Sequence, residues 1–409
     1  MIVKDGGADL ERCLASAAPF VDRILVGDTG SNDDSKAVAS RFGAEVIEIP
    51  WEQDFSKARN QVLEKCECDW VLILDADEML DPRSGRRIRQ LIQATDIYAY
   101  HNDVWNYVTA STPRIGPVAA RQNSYQLEES RPYPAYVPMP GIRLFRNHPG
   151  VRFEGCVHES LLKNLTALRL ATASADFVVH HFGYVCDSEE TRRGKNDLYH
   201  ALGERKLQAK PNDAQSLMEL GLSEFEHQKR PEAALAYFDR VCELSPRSGV
   251  AWLYAGVCLT RLSKAPDALK RFERAASLRL QTGVLYEAVG DAHFQMGNYH
   301  EANKAYIEVA NRGEASPLTE AKRGASEVHL GEIETGLSRM QRAVSSAPDS
   351  GELHDMLAAA ALLAGHLPLA VQTMQARIGL GNLTNFHTEF VATLQTKFNE
   401  QQGVAPGTA

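Results

Sequence analysis

The stretch that decides the fold is Asp69-Trp70-Val71-Leu72-Ile73-Leu74-Asp75-Ala76-Asp77-Glu78. Its continuous apolar run predicts a short strand that is buried on both faces. Asp75 and Asp77 follow that run and point the same way on an extended chain, because successive side chains alternate. Two carboxylates aimed at one point beyond a strand end suit Mg²⁺ or Mn²⁺. The alternative is a solvated acidic turn, and the Asp-x-Asp pattern alone does not decide between the two.

Length, composition and charge limit the classes of protein to which this chain can belong. The 409 residues predict two or three domains. The net charge of −9 argues against nucleic acid as the main partner, because phosphate backbones are bound by basic surfaces. We find no apolar run long enough to span a membrane and no apolar core of a signal peptide. The seven cysteines are scattered without zinc-site spacing, which is typical of reduced thiols and predicts a cytoplasmic protein.

Strands and helices alternate along the first part of the chain. Apolar patterning predicts strands at residues 1–3, 20–26 and 44–49 and up to Leu74, and helices at 9–18, 35–42 and 55–66. This order predicts a mostly parallel sheet with right-handed crossovers and helices on both faces. The first strand begins at Met1 and is short for a central strand, so we expect either a trimmed strand or residues upstream of Met1.

After Leu74, the predicted helices and strands no longer alternate regularly. We predict helices at 83–93 and 189–209 and strands at 96–107, 142–146 and 176–181. Residues 108–141 are rich in Pro, Tyr and Arg and show no period, which predicts a long loop of the functional or mobile kind.

A helical repeat begins near Pro211. A small residue recurs every 34 or 35 residues, a second small residue follows 12 positions later, and a large apolar residue 16 positions later. The first set is Gly221, Gly256, Gly290, Gly324 and Ala358; the second is Ala233, Ala268, Ala302, Gly336 and Ala370; the third is Tyr237, Phe272, Tyr306, Met340 and Met374. This spacing resembles tetratricopeptide repeats. We therefore predict a first domain at 1–187, a linking helix at 188–210, about five repeats in an all-α solenoid at 211–400 and a disordered tail at 401–409.

Two further segments place polar residues near predicted strand ends. In Asp28-Thr29-Gly30-Ser31, Asp28 could accept a hydrogen bond from a base or a ribose hydroxyl, or the segment could be only a turn with a helix cap. In the segment from Trp51 to Asn60, Arg59 could bind a diphosphate through its two-pronged guanidinium, or form a surface salt bridge.

Taken in order, these three segments resemble family 2 glycosyltransferases with the GT-A fold. More narrowly, they are similar to the branch that includes sublancin-type peptide S-glycosyltransferases and lipopolysaccharide-core glucosyltransferases, where tetratricopeptide arrays also occur. Later blocks fit the same branch: Arg143 to Arg146, Phe153 to Glu159, and His180 to Tyr184. The opening matches only in part, because the branch usually has Asn where this chain has Asp5. The resemblance covers roughly residues 1–200.

The resemblance implies roles for individual residues. It implies nucleotide binding at Val3, Asp5, Asp28, Arg59, Asp75, Ala76 and Asp77. It implies Mn²⁺ or Mg²⁺ bound by Asp77, by Asp75 directly or through water, and by His181, with the adjacent His180 as the alternative ligand. The candidate catalytic base is Glu159, with His158 beside it to orient it or to contact phosphate, and Asp103 and Glu154 are competing acids.

The function that this resemblance implies is metal-dependent, inverting transfer of a sugar from a nucleotide diphosphate, UDP being favoured, to a peptide, protein or saccharide acceptor. We expect the repeats to recruit the acceptor or a protein partner, and a homodimer is possible. The aromatic residues Trp105, Tyr107, Tyr125, Tyr133 and Tyr136 suit an acceptor-side lid, or belong to an excursion without such a role. A non-catalytic scaffold is the alternative. Nucleotidyl transfer ranks lower, because the loop after the first strand lacks a basic signature.

Overall fold

The computed structural model describes residues 1–109, 114–115, 118–125, 127–157, 159–186, 189–381, 387, 390–394 and 396–397. The predicted tail at 401–409 lies outside these residues. The chain divides into two compact units. The first consists of Met1–Thr109 and Ala120–Ser216, and the second contains the helices from Leu217 onward.

The first unit begins with a three-stranded parallel sheet. Its strands are β1 (Ile2–Val3), β2 (Leu25–Asp28) and β3 (Glu45–Glu48), in the spatial order β1-β2-β3. The helices of this region are α1 (Gly7–Ala17), α2 (Ser35–Arg41) and α3 (Phe55–Glu64). The predicted β-α alternation is therefore present. The second strand begins later than predicted, because residues 18–20 form a 3₁₀ turn with a proline at its start.

A second sheet follows, and it is mixed rather than mostly parallel. Its strands are β4 (Trp70–Leu72), β5 (Glu78–Leu80), β6 (Ala99–Val108), β9 (Arg121–Gln122), β10 (Ala135–Arg146) and β11 (Thr172–His181), whereas β7 (Arg114–Ile115) and β8 (Val118–Ala119) pair separately. The order is β4-β10-β6-β11-β5, and of these neighbours the β6–β11 pair is the parallel one. The predicted α/β class is confirmed. The alternation of strands and helices stops at β4, so this pattern could not indicate how the later strands pair.

The prediction of a continuous loop at 108–141 is wrong for its last residues, which form the first half of β10. Pro138 and Pro140 argued against a strand there, because proline cannot donate to a ladder. In the structure both prolines pair with β6 on one side. On the other side, β9 pairs at 135–136 and β4 at 144–146, so the prolines fall between these two ladders. Their missing N–H groups therefore interrupt neither ladder.

Four more helices complete the first unit. They are α4 (Ser84–Leu91), α5 (Leu162–Ala167), α6 (Gly183–Cys186) and α7 (Glu189–Ala209). The bounds of α7 agree with the sequence prediction. Helix α4 and strand β11 share a core cluster with β5 and β6 in which Leu80, Ile88 and Phe177 are buried. This core fixes the strand ends that carry the polar residues described below.

The second unit contains five helix pairs with the predicted spacing. The pairs are α8 (Ala214–Leu222) with α9 (Pro231–Leu244), α10 (Gly249–Arg261) with α11 (Ala265–Ser277), α12 (Gly283–Gln295) with α13 (Tyr299–Asn311), α14 (Pro317–His329) with α15 (Ile333–Ser346), and α16 (Gly351–Leu363) with α17 (Leu367–Gly379). The small residue of one helix faces the large residue of its partner. A Cβ added to Gly290 would lie 2.5 Å from the Tyr306 ring, and one added to Gly324 would lie 2.6 Å from Met340.

The first repeat departs from the prediction by one residue. Gly221 faces Phe238, and the buried small residue is Ala234, whereas Ala233 and Tyr237 are half-buried. The cause is a π-helical turn at Ser223–His227, because it takes up one extra residue between the two helices. The same extra residue makes this repeat 35 residues long instead of 34. Among the described residues of the whole chain, no helix is long and apolar enough to cross a membrane.

Candidate active site

Asp75 lies just after β4 in a network of charged side chains that range from buried to half-buried. Its backbone N–H donates to Glu78 Oε2 at 3.0 Å, and its carboxylate accepts from Arg59 Nη2 at 2.6 Å. Arg143 of β10 binds Glu78 and lies 3.8 Å from Asp75 Oδ2. Burial alone would raise the pKa of Asp75, but the charges of Arg59 and Arg143 outweigh it and hold this pKa well below its usual range. Asp75 is therefore a carboxylate at neutral pH.

Arg59 joins Asp75 to the candidate base. It lies on α3 with a side chain only 10% exposed, and its Nε donates to Glu159 while its Nη2 donates to Asp75. Its Nη1 is buried and has no hydrogen-bond partner among the residues that the structure describes. Burial would lower the pKa of Arg59, but the charges of Asp75 and Glu159 raise it. The structure thus brings three predicted residues into one chain of ion pairs and leaves one buried N–H group available.

Asp77 and His181 form a second pair. His181 Nε2 lies 3.4 Å from Asp77 Oδ2, and the backbone N–H of Phe182 donates to the Asp77 carbonyl at 3.0 Å. Burial would lower the pKa of His181, but its hydrogen bond with Asp77 and the charge of that carboxylate raise it. A Cβ on Gly183 would lie 2.5 Å from Asp77 Oδ2 and 2.8 Å from His181 Nε2. Glycine at this position therefore keeps the space beside the pair open.

His180, the alternative ligand, faces the interior. It is fully buried, with Nδ1 2.8 Å from the Tyr107 hydroxyl and Nε2 3.1 Å from Asp81 Oδ2. Alternation along β11 explains the difference, because adjacent residues of a strand point to opposite faces. Of the two histidines, His181 is the one beside Asp77.

The aromatic residues of the predicted lid surround His180 instead of forming an open face. Trp105 stacks on Tyr136 with ring centroids 4.2 Å apart, and Tyr107 is fully buried. The hydroxyl of Tyr125 donates to Asp81. These contacts bind the segment before β10 to the sheet.

Asp28 organises the loop after β2. Its Oδ1 accepts from the backbone N–H groups of Gly30 and Ser31, each at 3.0 Å, while its Oδ2 is buried without a partner in the described part of the chain. Burial would raise the pKa of Asp28, but the hydrogen bonds from Ser31 and Gly30 lower it. A buried carboxylate oxygen without a donor is costly, which is the situation a ligand N–H or O–H would relieve.

The other predicted nucleotide-binding residues lie beside this loop. Asp5 has a positive φ of 52° and accepts from the backbone N–H of Asn32 at 2.7 Å. Val3 is a core residue, 6% exposed, so its side chain does not face solvent. A Cβ on Gly6 would lie 2.7 Å from Val3 and 3.5 Å from Ala76. The loop after β1 and the loop after β4 are therefore in contact.

The predicted catalytic residues divide into three groups. Glu159 is 11% exposed and bound by Arg59. The competing acids Asp103 and Glu154 are both exposed. His158 lies outside the described residues. Of the acids Glu159, Asp103 and Glu154, Glu159 is thus the one that lies within the charge network.

Sequence reasoning assigned no role to Glu78, Arg143, Asn106 or Tyr199. Glu78 and Arg143 lie within the motifs, so their position there and their charge could have identified them as site residues. Burial and the charges of Asp75 and Glu159 raise the pKa of Tyr199 to about 12, and its ring centroid lies 5.8 Å from that of Phe55 at the start of α3. Asn106 is buried and accepts from His181, and nothing in its sequence neighbourhood indicates this.

The donor chemistry around Asp77 is compatible with a divalent cation. No group of three or more His, Cys, Asp or Glu side chains is arranged to hold a metal ion within the described residues. Two protein donors suffice where phosphates and waters supply the others, as Mg²⁺ sites often do. The separation of 3.4 Å between Asp77 Oδ2 and His181 Nε2 is close to the roughly 3 Å between adjacent ligands of such an ion. The surrounding carboxylates Asp75, Asp77, Glu78 and Glu159 also outnumber the two guanidinium groups.

Known proteins share both parts of this architecture. The sequence model described as glycosyl transferase family 2 matches residues 1–149, and a tetratricopeptide repeat model matches residues 199–249. This chain carries a family 2 glycosyltransferase domain fused to tetratricopeptide repeats. The match to the family model includes Asp28, Arg59, Asp75 and Asp77 and ends before Glu159 and His181.

Two relatives each align with about half of this chain. A TPR repeat-containing protein of Synechococcus elongatus is 33% identical over 227 residues, covering 54% of this chain and 50% of that protein. The prophage-derived glycosyltransferase SunS of Bacillus subtilis is 24% identical over 223 residues, covering 54% of this chain and 47% of SunS. The chain therefore spans about half the length of these relatives. Among solved structures, the Cut9-Hcn1 complex has a TM-score of 0.44 at 12% identity, covering 49% of this chain and 40% of that one.

Proposed function

We propose that the first unit is a metal-dependent, inverting glycosyltransferase that uses a nucleotide-sugar donor, with UDP favoured. The observation that carries this proposal is the Asp77–His181 pair, 3.4 Å apart, next to the chain of ion pairs through Asp75, Arg59 and Glu159. Its sequence context, a family 2 glycosyltransferase domain, supports the same chemistry.

The proposed donor contacts follow from two buried atoms that lack a hydrogen-bond partner among the described residues. Asp28 Oδ2 would accept from the base or the ribose, and Arg59 Nη1 would donate to a phosphate oxygen. Asp77 and His181 would hold Mn²⁺ or Mg²⁺, which would stabilise negative charge on the leaving diphosphate. Asp75, which is held by Arg59, would position the ribose or a water molecule. Asp5, Val3 and Ala76 would shape the nucleotide pocket through the two touching loops.

On the acceptor side, Glu159 is the proposed catalytic base. A carboxylate oxygen of Glu159 would take the proton from the acceptor O–H, N–H or S–H group. The acceptor atom then bonds to the anomeric carbon as the bond between that carbon and the diphosphate oxygen breaks. This single displacement inverts the anomeric centre and releases the nucleoside diphosphate. The Arg59 Nε–H holds Glu159 in place, because it donates to Oε1.

The acceptor is proposed to be a peptide, a protein or a saccharide. We propose that the repeats recruit this acceptor or a partner protein, since stacked helix pairs form extended binding surfaces. The chain could also act as a homodimer. The contrasting function is a non-catalytic scaffold. In its favour, the Asp5 carboxylate is already used by the Asn32 N–H.

The decisive experiment measures thermal stabilisation of the purified full chain by UDP, GDP, CDP and dTDP, each with Mn²⁺ and with EDTA. A ligand that binds the native state raises the melting temperature by mass action. We expect one nucleotide to stabilise the protein with Mn²⁺ and not with EDTA, and Asp77→Ala to abolish this difference. The matched control is Asp176→Ala, because Asp176 is an exposed acid of the same unit that pairs with Arg87 on the surface.

Two results would contradict the proposal. Equal stabilisation with Mn²⁺ and with EDTA would exclude a metal-dependent donor site. No stabilisation by any of the four nucleotides at millimolar concentration would favour the scaffold function instead.

A further inference from the structure

Asn106 lies directly behind His181. It is on β6, and in the parallel pairing of β6 with β11 it is the register partner of His181. Its side chain is 7% exposed. Its Oδ1 lies 2.6 Å from His181 Nδ1. No motif of the sequence includes Asn106, so its position became evident only from the pairing of the strands.

The orientation of the Asn106 amide is fixed by its other two contacts. Its Nδ2 lies 3.2 Å from the Val104 carbonyl and 3.1 Å from the Val137 carbonyl. Carbonyl oxygens only accept, so the amide nitrogen must face them and the amide oxygen must face His181. The reversed amide would place its oxygen against two acceptors.

The fixed amide oxygen determines which nitrogen of His181 carries a proton. Asn106 Oδ1 can only accept, so His181 Nδ1 must donate. In the neutral ring, Nε2 then has a lone pair, and this lone pair faces Asp77 Oδ2 at 3.4 Å. Two acceptors that face one another need a positive centre between them, which is a proton on Nε2 in the imidazolium form and would be the metal ion when one is bound. The space beside them is kept open by Gly183, because any Cβ there would contact both atoms.

We propose that Asn106 is a positioning residue that holds His181 in the tautomer protonated at Nδ1 and thereby sets the affinity of the Asp77–His181 pair for a divalent cation. This inference rests on the proposed function, because it concerns the same metal site. Outer residues that fix a ligating histidine change metal affinity by about 10- to 100-fold when they are removed. The inference extends the site by a residue of the second sheet.

The test is direct Mn²⁺ binding by the full chain, first without nucleotide and then with the nucleotide that stabilises it, followed through the electron paramagnetic resonance signal of free Mn²⁺. We expect Asn106→Leu to weaken Mn²⁺ binding about 10- to 100-fold. Asn106→Asp keeps an acceptor opposite His181 Nδ1, loses the amide donors to the two backbone carbonyls and adds a negative charge. We therefore expect this variant to bind Mn²⁺ more tightly than Asn106→Leu, even where its melting temperature falls as far.

The matched control is Asn102→Leu. Asn102 is also buried on β6, and its side chain also bonds to backbone groups, yet it does not contact His181. We expect Asn102→Leu to lower the melting temperature and to leave Mn²⁺ affinity within about twofold of the unmodified chain. An equal loss of Mn²⁺ affinity in both variants would overturn the inference, since the effect would then come from packing of the strand.

A second readout reports the tautomer itself. In the metal-free protein with ¹⁵N-labelled histidine, nitrogen chemical shifts distinguish a ring protonated at Nδ1 from one protonated at Nε2. His181 is identified as the signal lost in His181→Gln. We expect the Nδ1-protonated form at alkaline pH and a mixture in Asn106→Leu.

The outcomes separate this inference from the proposed function. If the unmodified chain binds Mn²⁺ and Asn106→Leu binds it equally well with an unchanged tautomer, the inference fails and the metal site stands. If the unmodified chain binds no Mn²⁺ with or without nucleotide, both fail.

Discussion

At the scale of single residues, the charge balance of the site depends on Arg59. This side chain binds carboxylates from two distant parts of the chain, Asp75 and Glu159, while it is almost completely buried. Removing one partner of a buried ion pair leaves the other partner uncompensated, which costs more than the pair itself contributes. Asp75 is 35% exposed, so solvent reduces this cost.

We expect Arg59→Met to lower the free energy of unfolding by about 2–3 kcal/mol near pH 8. The loss should shrink as the pH falls. With Arg59 present, the pKa of Asp75 is lowered, so the stability that this ion pair contributes exists above the ordinary carboxyl pKa and disappears on acidification. Without Arg59, burial favours protonated Asp75. Acidification therefore removes the cost of the uncompensated charge in the variant. Urea unfolding at about pH 8, above the ordinary carboxyl pKa, and at about pH 3, below it, measures both values.

The control for this substitution is Arg89→Met, because Arg89 pairs with Asp22 on the surface, where the side chains are 45% and 82% exposed. We expect it to cost less than about 0.5 kcal/mol. A loss in Arg59→Met that is the same at both pH values would show that Arg59 acts through packing and not through charge.

The sequence indicated those residues that lie in motifs and missed those that act across strands. Five site residues lie in motifs, and the structure brings them together in two sets of contacts: Asp75–Arg59–Glu159 and Asp77–His181. Asn106 is invisible in the sequence, because its role depends on which strand lies next to β11. Strand pairing is a property of the whole sheet and not of a local pattern.

At the scale of secondary-structure elements, the helix pairs of the repeats were predicted well because their spacing is a local property. The pairing of Gly290 with Tyr306 follows directly from the 16-residue offset. The first repeat was misregistered by one residue, because a π-helical turn adds a residue without changing the apolar pattern around it. The second sheet was harder, since the neighbours β4 and β10 are far apart in sequence.

We expect Gly290→Ala to lower the stability of the second unit by about 1–3 kcal/mol. The added Cβ would lie 2.5 Å from the Tyr306 ring. That ring cannot move aside easily, because it is 1% exposed and its hydroxyl donates to Asp291 at 2.8 Å. Thermal unfolding followed by circular dichroism measures the loss.

The control is Gly379→Ala in α17, where an added Cβ meets no described atom within 4 Å. We expect no loss of stability there, since alanine is favoured over glycine in a helix. A comparable loss at both positions would show that close approach of the paired helices is not the reason for glycine at position 290.

At the scale of the whole molecule, the chain combines a glycosyltransferase domain with tetratricopeptide repeats. If the repeats recruit the acceptor, the second unit affects transfer to the acceptor and leaves the reaction of the donor with water unchanged. If they only stabilise the chain, both reactions decline together.

We expect a chain that ends at Ser216, the boundary of the first unit, to keep nucleotide-sugar hydrolysis within about threefold and to lose at least tenfold in transfer to the natural acceptor. The physical reason is effective concentration: an acceptor held by the repeats meets the site far more often than a free one. The measurement is the release of nucleoside diphosphate with and without acceptor. Thermal stabilisation by the nucleotide first establishes that the shortened chain is folded. Equal losses in hydrolysis and transfer would instead assign the repeats to stability, and unchanged transfer would show that the acceptor is recognised entirely by the first unit.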